Sequence, residues 1–99
     1  MDPVVQDIAD HLKVLADPAR LRILKELMVV KAEKNVCVRD LAERLEISQP
    51  NVSHHLKVLK SAGFISCKKP CHEDQRYAYY SVDRAKIEGL FSNVIESIS

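Results

Sequence analysis

The chain has 99 residues, with 15 Lys and Arg against 14 Asp and Glu, for a formal net charge of +1. One domain with a modest core is expected at this length, and such a domain often gains stability by dimerising. A hydrophobic content of 46% excludes a disordered chain, and no apolar run nears the roughly 20 residues of a membrane span. The opening Met1-Asp2-Pro3-Val4-Val5-Gln6-Asp7 is too acidic and polar for a secretory signal, so the cytoplasm is the expected compartment. The cysteines are three in number (Cys37, Cys67, Cys71), which argues against a disulfide framework. Charge is unevenly spread. Residues 48–80 carry five Lys/Arg against two Asp/Glu, whereas the flanking segments are each slightly acidic.

In chain order, Asp2-Pro3 opens a first helix, with Val5, Ile8, Leu12 and Leu15 as its apolar stripe. Asp17-Pro18 repeats the start signal for a second helix, for which the spacing places Leu21, Leu24, Leu27 and Met28 inward. That helix fades into polar residues 31–35, and Asn35-Val36-Cys37 is expected to be extended. A third helix is expected over 38–45, with Leu41, Ala42 and Leu45 inward, and Glu46-Ile47 forms the turn to a fourth.

The stretch 48–65 is the most informative. Ser48 can cap, Pro50 sits in the first turn, and Val52, Leu56 and Leu59 recur at helical spacing. Ser53, His54 and Lys57 point the other way, and no carboxylate occurs between Ser48 and Lys69. Gly63 is the expected left-handed terminator. Two short helices across a tight turn, the second with a polar cationic outer face, make a helix-turn-helix whose fourth helix suits a DNA major groove. Phe64–Lys69 and Arg76–Val82 then read as strands of a β-hairpin wing around 70–75. Asp83 caps a last helix with Ile87, Leu90, Phe91, Val94, Ile95 and Ile98 on its apolar side.

The whole is expected to be mainly α, a single winged helix-turn-helix domain over residues 1–99. Base edges would be read by Gln49, Asn51, Ser53 and His54, and phosphates held by Lys57, Lys60, Lys68, Lys69 and Arg76. His55 flanks the buried stripe and is expected to be packed and hydrogen-bonded. The first and last helices carry wide apolar stripes that can pack on their own domain, on each other or on a second subunit. The simplest arrangement is a homodimer through Val5, Ile8, Leu12, Ile87, Phe91 and Val94.

These residues resemble the ArsR/SmtB family of winged-helix repressors. The matching pieces are Leu-Ala-Asp-Pro-Ala-Arg-Leu-Arg-Ile-Leu at 15–24, Cys-Val-Arg-Asp-Leu-Ala at 37–42, Ser-Gln-Pro-Asn-Val-Ser-His-His-Leu-Lys-Val-Leu at 48–59 and Tyr-Tyr-Ser-Val at 79–82. The resemblance implies a homodimer on operator DNA that is released by an inducer, often a thiophilic or transition metal. The family's effector sites are not intact. Arg39 stands where its arsenic-type site has a second cysteine, and of its zinc-type site on the last helix only Asp83 fits. Ala85 replaces the first histidine, and Glu96 falls where the second would be.

The remaining candidates for an inducer are thiols. Cys37 lies at the start of the third helix, where the helix dipole and Arg39 favour a thiolate. Cys67 and Cys71 flank the wing, and His72 follows. Such donors suit As(III) or Sb(III), or Zn(II) or Cd(II) with the imidazole. A redox switch between Cys67 and Cys71, or of either with Cys37, uses the same residues, as does the plain reading of unligated thiols. No phosphate-cradling loop is available from two glycines, so no enzyme is expected. The competing readings are a regulator without an inducer and a winged helix used to bind protein.

Overall fold

The computed structural model describes residues 2–29, 37–68 and 79–99. Its elements are α1 (Pro3–Leu15), α2 (Pro18–Val29), α3 (Val38–Leu45), α4 (Gln49–Ser61), β1 (Ile65–Lys68), β2 (Tyr79–Val82) and α5 (Arg84–Ile98). The expected Asn35-Val36 segment and the hairpin tip with Lys69, Cys71, His72 and Arg76 lie outside the described residues.

Side chains start most of these helices. Asp2 accepts the Val4 N–H at 2.9 Å, Ser48 Oγ accepts the Asn51 N–H at 3.3 Å, and Asp83 accepts the Lys86 N–H at 3.0 Å. Asp17 accepts two amides, from Ala19 at 2.9 Å and Arg20 at 3.2 Å. The bond from the Arg20 amide, with smaller contributions from Ala19, His55 and the Arg20 charge, holds the Asp17 carboxyl below its ordinary value against the opposing effect of burial. Cys37 occupies the N-cap of α3 with extended backbone, and its side chain makes no capping bond.

Among the described residues, two left-handed ones set sharp corners. Glu46, at φ 56°, ends α3, and the Ile47 N–H returns to the Ala42 carbonyl at 3.1 Å. Gly63, at φ 85°, ends α4 in a Schellman motif. There the Phe64 N–H reaches the Leu59 carbonyl and the Gly63 N–H the Lys60 carbonyl, both at 3.0 Å. This corner drops Phe64 into the core and aims the chain into β1. A Cβ on Gly63 would meet the Lys86 Cε at 3.4 Å, in addition to the backbone strain of its positive φ.

β1 and β2 pair antiparallel with Ile65 opposite Val82, Ser66 opposite Ser81, Cys67 opposite Tyr80 and Lys68 opposite Tyr79. Alternation puts Ile65 and Cys67 on the inner face with Tyr80 and Val82, while the Ser66 and Ser81 hydroxyls bond across the outer face at 3.1 Å. The core joins Ile8 and Leu15 of α1, Ile23, Leu24 and Leu27 of α2, Leu41, Ala42 and Leu45 of α3, Val52, Leu56 and Leu59 of α4, Phe64 of the corner, Ile65 of β1, and Leu90 of α5.

One helix sits differently from expectation. Leu24 and Leu27 of α2 are inward, but Leu21 and Met28 are exposed and Ile23 is fully buried in their stead. The reason is polar. Arg22 donates to the Leu45 carbonyl at 2.9 Å and Glu26 pairs with Arg44 at 2.9 Å, both on α3. Those contacts fix the roll of α2 and turn the Leu21–Met28 side away from α3.

The terminal helices pack on each other. Of the six residues expected at a subunit interface, Ile8 is in the chain's own core, and Leu12, Ile87 and Val94 pack against it. Val5 and Phe91 remain about half exposed, at 47% and 50%. Intramolecular packing thus takes up the inner half of each stripe.

Gly63→Ala should cost about 1–2 kcal/mol, because an alanine must be forced into the left-handed region; urea unfolding measures this. For Asp17, a native carboxyl held below its unfolded value of about 3.9 contributes stability that is complete above that pH. The contribution is lost as pH falls through the lower, native value. Asp17→Asn keeps the cap and should flatten the acid limb of the stability profile, whereas Asp17→Ala should lose about 1 kcal/mol at neutral pH.

Candidate nucleic-acid interface

Helix α4 is held from one side. Val52 and Leu59 have no exposed surface and Leu56 has 2%, and α4 contacts α2, α3 and β1. A helix so anchored must present its opposite side outward. Gln49, Asn51, Ser53, His54, Lys57 and Lys60 are all exposed.

These six do not form a single row. At 100° per residue, His54, Lys57 and Ser61 lie opposite the buried stripe, and Ser53 lies nearer its edge, beside Lys60. Gln49 and Lys60 fall on one flank and Asn51 on the other. Gln49 and Asn51 are in the first turn, where side chains can reach past the helix end. The exposed face carries side-chain donors and acceptors, two lysines and no carboxylate. Its chemistry fits hydrogen bonding to base edges and attraction to phosphate.

His55 is part-buried beside this face. Its Nδ1 accepts from Arg20 Nε at 3.2 Å, as its position beside the buried stripe led us to expect. His54 is exposed, with its ring centroid 5.7 Å from that of His55.

Helix α1 borders the face, which periodicity along the chain does not reveal. An open groove of about 610 Å³ runs between the two helices, with Asp7, Asp10 and His11 on one wall and His54, Lys57 and Ser61 on the other. The His11 ring donates from Nδ1 to the Asp7 carbonyl at 2.8 Å and meets Phe64 edge-on at 5.8 Å. Asp7, Asp10 and His11 are a helical polar stripe that continues into Val14, visible in retrospect, but only packing reveals what it faces.

The wing is described at its base. Lys68 belongs to β1, opposite Tyr79. Cys67 is half-buried against Tyr80, where burial first, and then the adjacent Cys67 sulfur, raises the phenol above its ordinary value. Cys37 and Cys67 are both free thiols. Among the described residues, no three His, Cys, Asp or Glu side chains are placed to hold a metal ion, and no helix is long and apolar enough to cross a membrane.

A model described as "Bacterial regulatory protein, arsR family" matches residues 17–66, the span from the Asp17 cap through α4 into β1. Over 94% of its length the chain is 31% identical to the transcriptional repressor SmtB homolog of Synechocystis sp., and it spans 64% of that protein. It is 34% identical to the transcriptional repressor SdpR of Bacillus subtilis, with 88% of each covered. Among solved structures, NolR from Sinorhizobium fredii is similar with a TM-score of 0.68 and 26% identity, over 93% of this chain and 89% of that one. With a shared helix-turn-helix, hairpin and terminal helices, and a match over half its length, the chain belongs to the arsR family of bacterial regulatory proteins.

Proposed function

We propose that the chain is a sequence-specific DNA-binding transcriptional repressor that works as a homodimer in the cytoplasm and performs no catalysis. The observation that carries this reading is the exposed face of α4, free of carboxylates and backed by the core. Ser53 and His54 face base edges, with Gln49 and Asn51 at the helix entry. Lys57 and Lys60 hold phosphates, assisted from the wing by Lys68, Lys69 and Arg76. A protein-binding winged helix has no need of that hydrogen-bonding face.

The dimer is supported by apolar surface left on the terminal helices. Val4 and Val5 of α1 are exposed, as are Phe91, Ile95 and Ile98 of α5, the last at 81%. Covering such surface against a two-fold copy would place two α4 helices for half-sites about one DNA turn apart, roughly 34 Å.

An inducer acting on thiols is the second part of the reading, and the observation behind it is Cys67 within the wing. The described residues do not assemble a metal site, so no release step is assigned to a bound metal. A soft ion such as As(III), Sb(III), Zn(II) or Cd(II), or an oxidant, would act through Cys67 with Cys71 and His72, or through Cys37.

In a random-duplex selection with reduced protein, one sequence class should emerge; recovery of none would refute DNA reading. Ser53→Ala or His54→Ala should cost about 1–3 kcal/mol and relax specificity at one position. Lys57→Ala should weaken all duplexes alike and lower the salt slope by about one unit. Phe91→Glu should convert a sedimenting dimer to a monomer, and a wild-type monomer at micromolar concentration counts against the dimer. Titrating the operator complex with these ions and with oxidant should release wild type but not Cys67→Ser. An equal response of the two proteins places the inducer elsewhere.

A further inference from the structure

One side chain joins three helices behind the exposed face. Arg20 stands in the first turn of α2, with its own amide bonded to Asp17 at 3.2 Å. Its guanidinium reaches backward and across. Nη1 donates to the Val14 carbonyl at 3.3 Å, in the last turn of α1, and Nε donates to His55 Nδ1 at 3.2 Å, in the middle of α4. Carbonyls in a final helical turn have no partner within the helix, so the first bond satisfies an otherwise open acceptor. The second is directional. A guanidinium has only donors, so His55 Nδ1 must offer its lone pair, and the ring proton sits on Nε2.

We propose that Arg20 is a positioning residue for DNA readout, acting through His55 to set the rotation and depth of α4. The inference rests on the DNA-binding reading and adds a specificity determinant that touches no DNA. Val52, Leu56 and Leu59 hold α4 through apolar burial, whose energy depends only weakly on angle and so restrains small rotations less sharply than a hydrogen bond on the helix flank does. His55 adjoins His54 and lies two residues from both Ser53 and Lys57, so a roll that breaks the Arg20 contact displaces all three. Base-edge hydrogen bonds need distance and angle together, whereas phosphate attraction falls off gently with distance. Loss of the pair should therefore reduce discrimination between sequences more than general affinity.

The test uses the whole chain with its selected operator and an unrelated duplex, at one salt concentration and at a temperature where circular dichroism shows each variant folded. The ratio of the two affinities is the readout, since a merely stabilising contact would leave it unchanged in folded protein. Arg20→Lys keeps the charge but lacks the fork, and His55→Leu removes the acceptor. Each should lower the ratio about tenfold. The double variant should be no worse than either alone. His55→Gln presents an amide oxygen to Arg20 and should stay within about twofold of wild type. If Arg20→Lys does not fold, the contrast between His55→Leu and His55→Gln decides by itself. An unchanged ratio in folded His55→Leu overturns the proposal. In the free protein, imidazole nitrogen shifts should report Nδ1 as the bare nitrogen, and a proton there also overturns it. A wild-type chain that prefers no duplex refutes the DNA reading and the positioning role together, while the nitrogen shifts still report the pair, so the two failures remain distinct.

Discussion

The anchoring of α4 on one side is the constraint on which the exposed face depends. Val52, Leu56 and Leu59 are sealed against α2, α3 and the hairpin, and this burial commits the remaining sides of the helix to solvent. The Schellman corner at Gly63 continues the same logic. By bonding Phe64 and Gly63 back to the last turn, it satisfies carbonyls that would otherwise be open and directs a fully buried phenylalanine beneath the helix it terminates. Helix, corner and strand thus form one mechanical unit. Ala62, Gly63 and Phe64 are all that separate α4 from β1.

Around this apolar unit, arginines settle orientation. Arg22 and Arg44 tie α2 to α3, and Arg20 ties α1 and α2 to α4. Burial gains scale with area and are weakly directional, so a smooth core of Leu, Ile and Val fixes which elements meet better than it fixes their roll. Hydrogen bonds to carbonyls at helix ends have narrow geometry and supply what the core lacks. On the proposed reading, such bonds at the corners of a small domain serve to hold the exposed face of α4 steady.

The outer surfaces of α1 and α5 follow the opposite rule. Their inner halves complete the chain's own core through Ile8, Leu12, Ile87, Leu90 and Val94, while Phe91, Ile95 and Ile98 extend past it. The same helices thereby serve folding on one side and offer apolar area on the other. This division explains why a single broad stripe in the sequence does not map onto a single contact.

The sequence by itself determined the order of the described elements, the starts of four helices and the end of α4, because capping residues, prolines and Gly63 act within a few residues of their own position. Asp2, Asp17, Ser48 and Asp83 start helices where their side chains predict. The stripes of α3 and α4 were equally legible, since each helix is short and has one apolar side. His55 could be separated from His54 by helical geometry alone. Tertiary structure decided what local pattern leaves degenerate. In α2, apolar residues occupy two overlapping faces, and periodicity favoured Leu21 and Met28; only packing against the other helices shows that Ile23 is the buried partner of Leu24 and Leu27. The wall that α1 makes beside α4, and the reach of Arg20 across 35 residues to His55, likewise depend on how helices cross in space, which no periodicity in a single segment encodes.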